Sequence, residues 1–597
     1  MKCSIKTYDE QLTIPQADIL CALKKKAFIS QRMLAEEAGH SLGIVNRCLK
    51  ELRAMGYMDD RNQLTEKTKE YFEECKPRNA VILAAGFGMR MVPINISTPK
   101  ALIEVNGERL IERLIQQLQA VGIQHITVVV GFMKEYFEYL IDKYNVELVV
   151  NNDYASKNNL YSLYKAWDRL GNTYIVPCDI WCEKNPFSTY ELYSWYMVSN
   201  LVEEESTVRL NRKMELVMIS PQESGNRMVG ISYLLNREAD IVADNIKKLI
   251  SDGNHGHSFW EEALYGKDRM ILRAKVVHSR DAVEINTYEQ LRELDENSNQ
   301  LQNKAIRTIA EVLHCSEKDI INISVLKKGM TNRSFLFTVH GDKYIMRIPG
   351  EGTDMLINRE NEAAVYRAIS GLGLCDDPIY INSDNGYKIT KYLENVRVCD
   401  SDNVEDLLLC MEKLNRFHEM DLKVSYSFDI FSKIEFYEKL WNGQKSIYND
   451  YEKTKENVFS LKTFLDSTKK NWCLTHIDAV CDNFLFYVPE EGEPEQLQLT
   501  DWEYSGMQDP HVDLAMFCIY SLYNKKQTDR LIDIYFQNQC DKKTRIKIYC
   551  YIAVCGLLWS NWCEYKRNLG VEFGEYALRQ YRYAKDYYRL VEKEVEK

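Results

Sequence analysis

The sequence predicts a multidomain protein combining α/β and α+β folds, on three observations. Its 597 residues exceed what one hydrophobic core usually organises. Ala80 to Gly86 (AVILAAG) runs as an apolar strand straight into a glycine turn, the opening of an α/β unit. Far downstream, THIDAVCDNFLF from Thr475 and TDWEYSG from Thr500 set polar residues between short apolar runs that read as strands. Composition fits soluble globular protein, with 45% hydrophobic and 27% charged residues. A net charge of -12 argues against a general nucleic-acid coat. The 17 cysteines are scattered without paired C-x-x-C spacing, which suits reduced thiols and a cytoplasmic setting. The first twenty residues lack an apolar signal core, and no run of 18 apolar residues predicts a membrane span.

Residues 1–75 read as helical. Pro15 opens the first helix in the turn where its missing N–H costs nothing. Gln31 to Ala38 and Ser41 to Met55 follow around Ala38-Gly39-His40, and LTEKTKEYFEE closes the segment. This pattern resembles a winged helix-turn-helix, in which the second helix of the pair would present Arg47, Lys50 and Arg53 to a major groove. The segment carries twelve Lys/Arg and twelve Asp/Glu. Phosphate contacts dominate DNA affinity, so a neutral domain favours regulation or assembly, including a homo-oligomer, over DNA binding.

Residues 79–297 form the second expected domain, after a short joint at Lys76 to Arg78. In LAAGFGMR, Gly86 and Gly88 stand where backbone N–H groups could approach a triphosphate, and Arg90 and Lys100 bring positive charge. No Walker lysine follows, so this is not a P-loop. Tyr174 to Asp179 is a strand ending in a carboxylate, at the edge where α/β sheets place their sites. The step from Arg90 to Pro99-Lys100 and the strand after it resemble the nucleotidyltransferases that make nucleoside-diphosphate sugars and CDP-alcohols, with a Rossmann-like fold. The resemblance implies CTP binding by Leu83, Ala85, Gly86, Gly88, Asn159 and Ser162, with Lys100 and Arg90 catalytic. It implies Mg²⁺ on Asp179. The family's second carboxylate falls in Glu284-Ile285-Asn286, leaving Glu284 or Asn286 as the other ligand. Trp181 and Trp260 are candidates for a choline box in this domain.

Leu294 to Lys304 is polar and aperiodic, the best linker, and residues 303–597 form the third domain. His476, Asp478 and Asn483 make an H-x-D-x-x-x-x-N array, with Asp501 23 residues after Asp478. Phosphoryl transfer needs one carboxylate to orient a hydroxyl and oxygen ligands to hold Mg²⁺ on the phosphates, roles that Asp478 and the pair Asn483 and Asp501 fit. The array resembles the choline kinase and aminoglycoside phosphotransferase superfamily, a protein-kinase-like fold. The resemblance implies ATP binding by Gly329, Thr331 and Asn332 in a loop over the phosphates. It also implies an Arg347–Glu362 ion pair in the place of the kinase lysine pair, with Glu360 as the alternative partner. Trp559 and Trp562 lie on one helix face. A stripe of that kind is most often core, but this stretch resembles the end of choline kinases, where paired tryptophans and a tyrosine, here Tyr576, box a trimethylammonium group. Cation–π attraction suits such a group because it has no N–H to donate.

Two catalytic modules in one chain predict successive reactions. ATP would phosphorylate choline, and CTP would react with phosphocholine to give CDP-choline. The alternatives are the same two steps on ethanolamine or a sugar, and a transcription regulator that senses nucleotide and choline.

Overall fold

The computed structural model describes residues 12–596 apart from 29, 97, 221, 327–331, 351–352, 354–355, 376, 490–491, 569–570 and 572. Gly329 and Thr331 therefore lie outside the described residues. The chain divides into two compact units, Met1–Asn303 and Lys304–Lys597.

The first unit begins with the helices Ile14–Lys25, Gln31–Ala38, Leu42–Ala54 and Glu66–Glu74. Thr13 and Gln16 close the first helix with a capping box, and Ser30 and Ser41 cap the next two. A bridge between Met58 and Leu64 forms the wing. This winged helix buries its inner face on the sheet domain. Its core, built from Leu20, Leu49, Leu52 and Phe72, includes Leu192, with Tyr190 and Tyr193 packed against it. The Tyr233 hydroxyl, buried, donates to the Cys75 carbonyl at 2.7 Å.

The sheet has nine strands. Glu147–Val150, His125–Val130, Asn79–Ala84 and Thr173–Pro177 lie side by side and parallel, each rich in branched apolar side chains. Gly225–Leu234 then runs antiparallel to Thr173–Pro177. The expected linker is ordered on this unit. The Ser298 hydroxyl donates to the Glu104 carbonyl at 3.0 Å, and Leu301 is buried, its carbonyl accepting from Tyr288. Local capping and one apolar anchor hold a segment whose composition alone reads as loose.

The second unit has a small five-stranded sheet that includes Asn332–Val339, Asp342–Pro349 and Lys388–Lys391, beside the helix Arg359–Ile369. A larger helical part follows. Its central helix, Lys542–Asn568, is by length and composition apolar enough to cross a membrane, but 94% of that apolar stretch is buried inside the unit. It is a core helix. Glu575–Val595 crosses it closely at Gly556, where a Cβ would stand 2.8 Å from the Gln580 carbonyl.

Candidate active sites

In the first unit, Asn79–Ala84 and Thr173–Pro177 pair in parallel and deliver the glycine turn and Asp179 to one sheet edge. Leu83 is buried in the strand, and the Ala85 carbonyl accepts the Phe132 amide at 3.0 Å. Gly88 has φ +59°, and a Cβ there would lie 2.9 Å from Lys100 Cβ. That glycine gives the lysine its place. Among the described residues, chain neighbours aside, no atom comes within 4 Å of where a Gly86 Cβ would stand, so that part of the turn faces open space.

Lys100 is buried, and its ammonium bridges Asp179 and Asn286, the latter at 2.7 Å. The other Asp179 oxygen is buried with no hydrogen-bond partner among the described residues. Glu284 reaches the same spot because Ala282–Glu284 pairs antiparallel with Ile180–Cys182. Burial and then the Asp179 charge push the Glu284 carboxyl up, opposed by an Asn286 hydrogen bond and by Lys100 and Arg90. Arg90 is exposed. An orphaned carboxylate oxygen beside a second carboxylate is a hard oxygen donor set that fits Mg²⁺.

Asn159 and Ser162 sit on the short helix Asn159–Tyr164 with polar atoms already engaged. The Asn159 side-chain oxygen accepts the Trp260 amide at 2.8 Å, and the Ser162 hydroxyl accepts from Asn151 at 3.1 Å. The tryptophan box expected in this unit is not formed. Trp260 is fully buried against Tyr196, and the Trp181 face is covered by the Arg113 guanidinium 4.2 Å away. Sequence reasoning passed over Glu261 instead. Burial lifts its carboxyl to about 7; Tyr196 donates to one oxygen at 3.0 Å, and the other is buried without a partner among the described residues. Asp179 and Glu284 are close enough for their charges to act on it.

In the second unit, Phe484–Tyr487 and Gln496–Leu499 form an antiparallel hairpin. The Thr500 amide donates to the Asn483 carbonyl at 2.9 Å, which sets Asn483 beside Asp501. Both line a cavity of about 840 Å³, together with Asp478, Glu503, Asn332, Arg347 and Lys388. The Asn483 amide donates to the Asp478 carbonyl at 2.8 Å and to its carboxylate at 3.3 Å, fixing the aspartate and turning its own oxygen away. Burial, then Glu503, lifts Asp478 to about 7; burial, then Asp478, lifts Asp501 to about 6. Glu503, which the sequence reading missed, is also lifted to about 7 by burial and then by Asp501. Among the described residues no group of three or more His, Cys, Asp or Glu is arranged to hold a metal alone. Carboxylates with an amide oxygen still fit Mg²⁺, which leaves coordination positions to phosphate and water. His476 is structural: buried, packed 4.5 Å from Trp502, it donates to the Thr500 carbonyl at 2.9 Å and is lowered to about 4 by burial.

Arg347 and Glu362 form a two-pronged ion pair, and Arg347 also donates to the Gly386 carbonyl at 2.8 Å. Burial alone would raise Glu362, but Arg347 holds it below the ordinary range. Glu362 also accepts from Arg359 at 2.9 Å, and Asn332 donates to Glu503 at 2.8 Å. Glu360 is not the partner in this geometry. The far end of the same cavity is aromatic, lined by Trp559, Trp562, Phe573, Tyr576, Tyr504 and Tyr520. Trp559 and Trp562 meet edge to face at 5.4 Å, and Phe573 lies 5.1 Å from Trp562. Phe573, Tyr504 and Tyr520 were not foreseen: Tyr504 and Tyr520 lie far from the tryptophans in sequence, and Phe573 stands in the turn before the last helix, outside any helical period.

The folds and sites thus define a nucleotidyltransferase joined to a kinase-fold phosphotransferase. Residues 80–187 match the MobA-like NTP transferase domain, 323–554 match choline/ethanolamine kinase, and 16–57 match a winged helix-turn-helix DNA-binding domain. The chain is 32% identical to the choline-phosphate cytidylyltransferase of Streptococcus pneumoniae over 36% of its own length and 96% of that protein. It is 29% identical to protein LicA of Haemophilus influenzae over 45% of its length and 80% of LicA. The crystal structure of choline kinase LicA from Streptococcus pneumoniae aligns with a TM-score of 0.42 at 27% identity, covering 48% of this chain and 97% of that one. The chain belongs to the choline-phosphate cytidylyltransferase family of nucleotidyltransferases, and its second half is similar to choline/ethanolamine kinases over residues 323–554.

Proposed function

We propose that the protein makes CDP-choline in two steps, phosphorylating choline with ATP in the second unit and joining phosphocholine to CTP in the first. The observation that carries the reading is the kinase-unit cavity. It holds Asp478, Asn483 and Asp501 at one end and an aromatic wall at the other, so a cationic alcohol can seat its head on the rings and its hydroxyl on Asp478. Asp478 accepts the hydroxyl's proton as the oxygen attacks the terminal phosphorus of ATP. A raised carboxyl suits that task near neutral pH. Asn483 and Asp501 would hold Mg²⁺, which when bound offsets phosphate charge. The ion pair with Glu362 positions Arg347.

In the first unit, Asp179 and Glu284 would hold Mg²⁺, and Asn286 anchors Lys100. Lys100 and Arg90 offset phosphate charge while a phosphocholine oxygen displaces pyrophosphate from the α-phosphorus of CTP. The unpartnered Glu261 oxygen offers the trimethylammonium group a counter-charge that the buried Trp260 cannot. Gly86 leaves the backbone open to the nucleotide, while Asn159 and Ser162 shape the wall behind it. Both nucleotides are cytoplasmic currency, and we place the chemistry there. The winged helix serves regulation or assembly.

The test is to incubate the protein with choline, ATP, CTP and Mg²⁺ and identify products by mass. CDP-choline, ADP and pyrophosphate are expected. Phosphocholine without CDP-choline, or turnover of ethanolamine in preference to choline, would count against the reading.

A further inference from the structure

Lys388 is a cation in the kinase cavity to which neither the sequence reading nor the proposed mechanism gives a role. It stands directly across the sheet from Arg347, each the other's register partner in the antiparallel pair of Asp342–Pro349 and Lys388–Lys391. Register partners point to the same face of a sheet, so both side chains enter the cavity. Their surroundings differ. Arg347 commits three of its five N–H donors, to Glu362 through both terminal nitrogens and to the Gly386 carbonyl, and its Nε–H is buried with no partner among the described residues. A guanidinium clamped this way braces the helix Arg359–Ile369, with most of its donors and its position already committed to the fold.

The Lys388 ammonium donates to a neutral partner, the Tyr366 hydroxyl, at 2.7 Å, with its charge 4.6 Å from the centre of that ring. Tyr366 lies on the same helix as Glu362, so the helix orients both cations. An ammonium has three N–H donors, and one bond to a phenol leaves others for a ligand. Lys388 and Asp501 line the same cavity, so the ammonium faces the space that the phosphates of a nucleotide held on the proposed metal ligand would occupy. Lys388 is also buried, so its charge is little screened by water.

We infer that Lys388, on the strand neighbouring Arg347, is the side chain that binds the β- and γ-phosphates of ATP in the kinase unit, with Arg347 as a positioning residue. The inference rests on the kinase reading of this cavity.

The test compares ATP with AMP, which has the same base and sugar but lacks those phosphates. Lys388→Met keeps the length of the side chain and removes its charge. Wild type should bind both nucleotides. The variant should bind AMP as wild type does, while ATP affinity falls about 10-fold to about 100-fold, the worth of a hydrogen bond to a charged group. Lys388→Arg should recover most of the loss, because it restores a charged donor. AMP and ATP weakened alike, or unchanged ATP affinity, would overturn the assignment. Wild-type protein that bound neither nucleotide would overturn the kinase reading itself, and this inference with it.

Discussion

Asp513 holds the backbone N–H groups of His476 and Ile477, one on each carboxylate oxygen, at 2.9 and 2.7 Å. It also accepts from His418 at 2.9 Å. The grip has a reason. Ile477 sits at φ +69°, a conformation that costs a β-branched residue about 1 to 3 kcal/mol, and it immediately precedes Asp478. Asp513 therefore fixes the direction in which the proposed base points.

Replacing Asp513 by Ala leaves buried donors without an acceptor, at about 1 to 3 kcal/mol each. Denaturant unfolding of the second unit should show a loss of about 3 kcal/mol or more, with a large fall in phosphocholine formation. Cytidylyl transfer to added phosphocholine should persist. An Asp513→Ala protein with wild-type kinase activity would show that the grip does not matter.

The carboxyls of Asp478 and Glu503 stand near 7 and that of Asp501 near 6, all above the ordinary value of about 4. The folded state then keeps protons that the unfolded chain releases between about pH 4 and about pH 7. Without metal, stability is gained as pH falls through this window and lost as it rises. Bound Mg²⁺ offsets the repulsion that appears at high pH. The rise in melting temperature caused by Mg²⁺ should be larger at pH 8 than at pH 6, and equal shifts would contradict the metal assignment.

Choline selection should depend on the charge field of the rings. Replacing Trp559 and Trp562 with Leu keeps an apolar lining and loses contacts worth about 0.5 to 2 kcal/mol each. The kcat/KM for choline should fall by about 5-fold to about 1,000-fold. Turnover of 3,3-dimethylbutanol, a neutral isostere, should change far less. Equal losses for both alcohols would mean that the tryptophans only pack.

The winged helix looks separable in sequence, yet its core runs into the sheet domain through Leu192, and Tyr233 donates to Cys75. Deleting residues 1–75 should leave kinase activity unchanged and both activities detectable, while the first unit unfolds at a lower temperature. Nanomolar, sequence-selective DNA binding at physiological salt would overturn the regulatory reading of this domain.

Much of this was legible in the sequence because the chemistry sits at punctuated places. Glycine turns and strand ends mark Gly86, Gly88 and Asp179, and a short hairpin explains the spacing of Asn483 and Asp501. What depends on packing was hidden. No local pattern says that Trp260 is buried and Glu261 is not fully paired, or that Arg113 covers Trp181. Periodicity gave the helix carrying Trp559 and Trp562, but not Phe573 in the turn that follows it, nor Tyr504 and Tyr520, which reach the same cavity from other parts of the chain. The order of residues 298–303 came from side-chain caps that composition cannot show.

The central claim is that one chain carries two independent active sites acting in sequence. Asp478→Ala should make no phosphocholine but still convert added phosphocholine and CTP to CDP-choline, and Asp179→Ala should do the reverse. Neither variant alone should make CDP-choline from choline, ATP and CTP. Their mixture should, as phosphocholine released by one protein is used by the other. Mass detection of CDP-choline from the mixture is the predicted result. Its absence, with both proteins folded and each single activity intact, would contradict the account.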